Sequence, residues 1–452
     1  MDEPQTSTGN PVTSPRKRGA PRGHGRHSAI PPMPKDPRRE LDLLRDDTGP
    51  LGFLLWRIIS DVLLWTACPP ENRAGLFRDA PEGRGEALAY ATLAAPELLE
   101  PLRTLMTVSV TPEFANASAV AEACARVVEW AEAREMKETA VQFAEAAARI
   151  EPEVSARAYT PGRLCRRLGA HHRSAMWYWR AARLARRAHK LGVKGSEIDF
   201  ANAHLGLGNL ELDGGHYIAA ERHYWKVIHA ALRVGRQSLA GAGHHALIHL
   251  TTTTHHIAEA QNHARLAVSL YPAGHPRFPA LAHDVAFLWM WQGYFSSALV
   301  VFEKILPWAE KQPERILALA NLARCAAAVK DHIRYERAAT QVITLAAVDN
   351  EFSDTSIYHL AEGARSFWDW SRAEFLAFRA LTLAQNNNNQ PLVALARSTL
   401  EAVALRKPGD TDIVPPVGGE IDEVLSAILH KLRKQPAPEV SGAAVPERYP
   451  TT

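Results

Sequence analysis

Cysteine is scarce: the chain has four in 452 residues, and Cys68, Cys124, Cys165 and Cys325 stand far apart, with no C-x-x-C among them. That excludes a disulfide framework and offers no zinc-ligand spacing, so reduced, mostly buried thiols are expected. Charge of one sign is also lacking. The net charge of +3 provides no chain-wide field to draw the protein onto nucleic acid or anionic lipid, and any such attraction must be local. Signatures of catalysis are missing, with no G-x-x-x-x-G-K-[ST], H-E-x-x-H, G-x-S-x-G or EF-hand loop. Neither enzyme activity nor a cofactor is expected. Met1-Asp2-Glu3-Pro4-Gln5 has no basic segment leading into an apolar run, so a secretory signal is not expected and a cytoplasmic location is.

Long hydrophobic runs are few. The stretch that most resembles a membrane span, Leu51 to Ala67, falls short of the roughly 20 apolar residues a bilayer requires. Arg57 and Asp61 sit four apart within it, where they can pair on one helix face. A buried core helix is the better reading, and no membrane partner is expected.

What the chain does have is helix-forming residues. Ala- and Leu-rich tracts dominate, aromatics are only 8%, and β-branched patterning is slight, which points to an all-α fold. Residues 1–36, rich in Pro, Gly, Ser, Thr and Arg, read as a disordered tail. Its basic cluster, Arg16, Lys17, Arg18, Arg22 and Arg26, is either a solvated linker or a foothold for phosphates or an acidic partner. From 37 to 114, apolar runs divided by Pro69-Pro70, Pro81, Pro96, Pro101 and Pro112 read as four or so short helices that cap the long segment beyond them.

Residues 115–407 carry a self-similar pattern. Ala140, Ala175, Ala220, Ala260, Ala298 and Ala373 serve as anchors, and a degenerate unit centred on Tyr335 divides the last interval, for a period of about 39. Twelve residues before the anchor comes a small residue (Gly208, Ala286, Ala323, Ala361), five before comes a turn glycine (Gly215, Gly293), and four after lies a bulky side chain (Trp179, Tyr224, Phe302) or Ala. Such a set describes two antiparallel helices whose backbones approach closely. The spacing resembles the tetratricopeptide repeat, most closely in Gly208 to Val227, GNLELDGGHYIAAERHYWKV. The resemblance implies a right-handed α-solenoid whose first helices line a concave groove that binds a protein or peptide segment. Units of 37 to 45 residues exceed that family's 34, implying longer helices or loops.

One face of those first helices falls eighteen, fifteen, eleven and eight residues before each anchor. The candidate groove residues are Asn202, Asn209, His245, His249, His283, Phe287, Arg324, Tyr358, Glu362 and Arg365. Amides can bond to an extended backbone, arginine can hold a carboxylate, and aromatics can pack apolar side chains. Only Asn209 and Arg324 offer anything like a carboxylate clamp. Histidines cluster at His244, His245, His249, His255 and His256, and His245, His249 and His283 could approach one another. With no Asp, Glu or Cys completing a ligand set in that segment, a structural or pH-sensitive role is preferred to a metal site. The Gly206–Gly208 stretch is read as helix packing, and Asn116-Ala117-Ser118 as carrying no glycan.

Beyond the repeats, Gln390 to Lys407 reads as a capping helix, 408–419 as a Pro- and Gly-rich linker, and 435–452 as unstructured. In 420–434 the helical spacing of Ile421, Val424, Leu425, Ile428, Leu429 and Leu432 marks an amphipathic helix for docking on the array or on a partner. The leading expectation is a scaffold that binds a peptide or protein in the groove. The alternative is a sensor that couples ligand capture to an effector or nucleic acid through the basic tail.

Overall fold

Each repeat is built on one local event, a helix stopped by a residue in the left-handed conformation. The computed structural model describes residues 43–77, 95–346 and 353–436, and among them all regular structure is helical. The basic cluster of the N-terminal tail lies outside the described residues. Helices α1 (Pro50–Ala67) and α2 (Leu99–Val110) open the fold. By length and composition α1 could cross a bilayer, yet it buries Leu55, Ile58, Ile59, Val62 and Trp65 in the N-terminal core. The Trp65 indole donates to the Pro112 carbonyl at 2.8 Å, pinning α1 to the end of α2.

Seven helix pairs follow. They are α3 (Ala117–Ala133) with α4 (Lys137–Ile150), α5 (Ser155–Arg167) with α6 (His171–Lys190), and α7 (Ser196–Asp213) with α8 (Tyr217–Arg233). Next come α9 (Gln237–Thr253) with α10 (Ile257–Leu270), and α11 (Phe278–Trp291) with α12 (Phe295–Ile305). The last are α13 (Gln312–Ala328) with α14 (His332–Ala346), and α15 (Ser353–Ser366) with α16 (Trp370–Asn386). Asn116 caps α3, accepting from the Ala119 amide at 3.0 Å, so this would-be glycan acceptor has a structural task.

The anchor is the fourth residue of each second helix, which corrects one register. In the second pair it is Ser174, fully buried with its hydroxyl donating to the Gly162 carbonyl at 2.6 Å, whereas Ala175 is half-buried. The bulky residue four on is therefore Tyr178, 2% exposed, and not Trp179, which is 36% exposed. Five residues before every anchor the backbone is left-handed: Glu135, Gly169, Gly215, His255, Gly293, Lys330 and Trp368 all have positive φ. The following amide then returns to a carbonyl five residues back, as in His216 to Glu211 at 2.7 Å and Tyr294 to Trp289 at 3.0 Å. This is the Schellman closure, and it recurs in all seven turns although only three of the residues are glycine.

Close approach then shapes the pair. A Cβ added at Gly162 would lie 2.9 Å from the Tyr178 ring, and one at Gly208 would lie 2.5 Å from the Tyr224 ring. Gly206 makes the same allowance for Tyr178 of the preceding pair, at 2.3 Å, so the Gly206–Gly208 stretch serves packing. From α5 onward successive first helices pack on one another, while each second helix packs on its partner and on the next first helix. The helical pairs thus stack as a solenoid with the first helices forming its inner wall.

The C-terminal part folds back. Helix α17 (Gln390–Ala404) covers α16, and α18 (Glu420–Arg433) packs on α10, α11 and α12. Its Ile421, Val424, Ile428 and Leu432 are buried, each worth roughly 1.5–3 kcal/mol in burial. Lys431 donates to the carbonyls at the C-terminal end of α10, Val268, Ser269 and Tyr271, where the helix dipole favours a cation. The amphipathic helix therefore docks in cis.

The left-handed turn should show in stability. No atom would crowd a Cβ at Gly215, so Gly215→Ala should cost only the backbone strain, about 1 kcal/mol. His255→Gly, at an exposed left-handed position, should recover a similar amount. Urea denaturation of both variants measures this, and midpoints unchanged from the wild type would refute the assignment of these residues as helix stops.

Candidate functional site

The inner wall changes character along its length. On α7, Asn202 and Asn209 are half-buried, and Asn209 Oδ1 accepts from the Tyr224 hydroxyl at 2.9 Å. Its carbonyl is thus engaged within its own pair. On α9, His249 is exposed and His245 half-buried. His245 Nε2 meets Asp284 Oδ2 at 2.8 Å, and His283 Nδ1 meets Asp284 Oδ1 at 3.0 Å.

Asp284 is the carboxylate that the histidine segment itself lacks. It adjoins His283 in sequence but lies off the sampled stripe of α11, and only the packing of α9 beside α11 brings His245 to it. Burial raises its proton affinity, but the bonds from the two imidazoles outweigh this and hold its carboxyl well below the usual carboxylate range. Asn321 Nδ2 lies 3.3 Å from His283 Nε2, on the side of the ring away from Asp284. The two rings engage separate oxygens, and among the described residues no group of three or more His, Cys, Asp or Glu is placed to hold a metal ion. A pocket of about 520 Å³ opens beside them between α11 and α13, lined in part by His283, Asp284, Trp308, Glu310, Glu314 and Leu317.

Further along, the wall closes around Arg324. Its Nε and Nη2 both reach Asp410 Oδ2 at 2.8 Å, and its guanidinium lies 5.1 Å from the Trp291 ring centre and 5.7 Å from that of Tyr358. Burial opposes the charge on Arg324, and Asp410, Tyr358 and Glu362 together more than offset it. Arg324 Nη1 also lies 3.2 Å from His359 Nδ1, which must accept. Burial first, and then Arg324 and His283, hold His359 well below the usual imidazole range, so it stays neutral for that role. Phe287 packs edge-on to Trp291 at 6.0 Å and to His359 at 6.5 Å. Glu362, 3% exposed, accepts from Thr399 at 2.6 Å and pairs with Arg365. It is an internal hub and not a groove-facing acid.

Asp410 belongs to the segment expected to be a free linker. Residues 408–413 instead lie without regular structure across the C-terminal ends of α15, α13 and α11. Arg365 Nη1 donates to the Pro408 carbonyl at 2.6 Å. Gly409 passes so close to Ser366 that an added Cβ would lie 2.3 Å from its hydroxyl, and that hydroxyl donates to the Asp410 carbonyl at 3.5 Å. The Ser296 amide donates to Asp412 Oδ1 at 2.9 Å, and the Ile413 amide donates to the Gly293 carbonyl at 2.8 Å. The structure thus brings together Phe287, Arg324, Tyr358, Glu362 and Arg365 under this strap, and beside them His245 with His283, whose ring stacks on Phe287. Asn202, Asn209 and His249 lie in neither group. Arg324 holds a carboxylate as its chemistry suggested, but the carboxylate is the chain's own. Removing one member of such a buried pair typically costs about 3–5 kcal/mol.

Two further pairs of histidines join first helices to second helices. His204 Nδ1 meets His223 Nδ1 at 2.7 Å, and His244 Nδ1 meets His263 Nδ1 at 3.1 Å, each pair linking the two helices of one unit. Trp179 sits edge-on to the first pair and Trp225 to the second. Burial, with neighbouring cations, pushes His204 down to about 2 and His223 to about 4, and burial with its partner pushes His244 to about 4. His263 is lowered as well, chiefly by burial.

No family model matches the chain, and no curated protein is a significant match. Among solved structures it is similar to RapI in its apo form, at 13% identity and a TM-score of 0.40, over 62% of this chain and 94% of that one. It is also similar to a circular tandem repeat protein with a novel repeat topology, at 13% identity and a TM-score of 0.20, over 84% of this chain and 99% of that one. The solenoid assignment stands on the helix packing itself.

The paired imidazoles are neutral in the folded chain, whereas free imidazoles titrate near 6.5. Below that pH the unfolded chain takes up more protons, so stability present above about pH 6.5 should be lost as the pH falls toward about 4. A loss of about 2 kcal/mol or more is expected, read from urea midpoints by tryptophan fluorescence. Replacing His244 and His263 by Leu should flatten that acid limb. An identical pH profile in the double variant would contradict the assignment.

Proposed function

We propose that this chain is a non-catalytic cytoplasmic scaffold of the tetratricopeptide type, holding an extended segment of a protein partner along its inner wall between α7 and α15. The observation that supports it most is that the wall already receives an extended segment. Residues 408–413 are held by one backbone bond at Gly293 and by side chains that engage carbonyls and carboxylates at Arg365, Arg324 and Ser366. Those are the contacts by which grooves recognise peptides, the backbone bonds supplying affinity and the side-chain sites supplying selectivity. Toward α9 and α7 the wall continues with the exposed His249 and the half-buried Asn202, and with the Asp284 carboxylate and its pocket.

A photo-crosslinking residue placed at Asn202 or His249, on the inner wall, should form adducts with partner protein in cells. The same residue at Ile218, which is 69% exposed on the outer helix α8, should form none. Adducts arising from 218 alone would move the partner to the outer face and sink the reading.

A further inference from the structure

Resting on that reading, we propose that residues 408–413 are a built-in competitor for the groove, and that the partner is an extended segment bearing two carboxylates two residues apart, which displaces them. Along the strap, Asp410 and Asp412 are half-buried while Thr411 between them is exposed, as where an extended chain lies on a surface. The two inward residues occupy sites made for carboxylates. Arg324 is buried, and among the described residues Asp410 is the carboxylate that pairs with it. Asp412 sits at the N-terminus of α12, where the helix's own cap residue, Tyr294, supplies no side-chain bond. A helix N-terminus favours a negative charge.

These sites dictate what may replace the strap. A buried guanidinium stripped of its carboxylate is costly, so the strap can leave only in exchange for a group that restores the charge. A neutral peptide cannot serve. The strap itself is held mainly by polar bonds: Ile413 is 52% exposed and Val414 77% exposed, and Val417 beyond them is 97% exposed. Helix α18, with its buried apolar face, has the stronger hold and stays docked while the strap lifts. Tethered at both ends, the strap acts at an effective concentration on the order of millimolar. It therefore excludes weak acidic segments and yields to those that add contacts along the rest of the wall.

The probe is a fluorescein-labelled peptide of the strap's own sequence, Lys407 to Val414, with a second version in which both aspartates are asparagine. Full-length protein carrying Asp410→Asn and Asp412→Asn should bind the acidic peptide at least ten-fold more tightly than the wild type does, and should bind the asparagine peptide at least ten-fold more weakly than the acidic one. Equal binding by the two proteins, or of the two peptides, would overturn the proposal. Should the double variant fold poorly, hydrogen exchange on the wild type decides. Excess acidic peptide should speed exchange over 408–413 and leave 420–433 protected, and unchanged exchange at 408–413 overturns the proposal. The crosslinks from Asn202 and His249 separate the two failures. If they persist while the peptide results are negative, the strap proposal falls and the scaffold stands, whereas their absence from both wild type and double variant removes the scaffold reading too.

Discussion

The structure depends on how closely the two helices of each unit can approach. Where a tyrosine four residues past the anchor lies flat against a glycine twelve before it, as Tyr178 does on Gly162 and Tyr224 on Gly208, the helix backbones are separated by little more than one ring. The left-handed stop five residues before the anchor sets the angle at which the second helix returns to make that contact. Because the left-handed stop recurs in all seven units, the first helices are delivered side by side. Side chains from α9, α11, α13 and α15 consequently meet across unit boundaries, though they are far apart in sequence. The Asp284 bridge between His245 and His283 follows from that delivery, and so does the group around Arg324.

Charge is distributed differently on the N-terminal pairs and on the inner wall of the later ones. Arginines of α5 and α6 find carboxylates on neighbouring helices: Arg163 and Arg167 on Glu132, Arg166 on Asp213, and Arg173 on the buried Glu145. Those pairs tie adjacent units together and are complete within the array. Arg324 is paired outside the helices, by an aspartate 86 residues away on a segment without regular structure. A buried cation whose counter-ion sits on a detachable strand is poorly explained by stability alone, since an apolar residue would pack there at lower desolvation cost. It is well explained by a site in which carboxylates exchange.

The repeat was legible in the sequence because its determinants are local. Small residues, turn glycines and bulky side chains recur at offsets set by helix geometry, and even the degenerate unit around Tyr335 forms its pair as α13 and α14. The register of the second unit was misread because Ala175 matches the anchor's residue type better than Ser174 does, and only the bond from Ser174 to Gly162 tells them apart. Four of the seven turn residues were invisible because Glu, His, Lys and Trp carry no signal for positive φ. At the candidate site, residue types on the inner stripe were readable, Arg324 among them, and in the fold that side chain pairs with a carboxylate of the chain itself. What could not be read was its partner. Pro408, Gly409 and the prolines after them look like a linker by composition, and nothing local reveals that Asp410 and Asp412 fall opposite Arg324 and the N-terminus of α12.

The histidine pairs bear on how such a wall stays in shape while its charged contacts exchange. His204 with His223, and His244 with His263, recur at the same two places in consecutive units, and each pair leaves one imidazole donating and the other accepting. A buried polar pair satisfied only by its own member fixes the register of its two helices, because sliding either helix by one residue would strand both rings. The tryptophan of the preceding second helix then clasps the pair from outside. The outer seam is thus held by neutral groups that exchange with nothing, while the inner wall carries ionic contacts that can. A strap can lift from α11, α13 and α15 without disturbing that seam, because nothing that orders the helices relative to one another in α7 to α10 passes through Arg324 or Asp410.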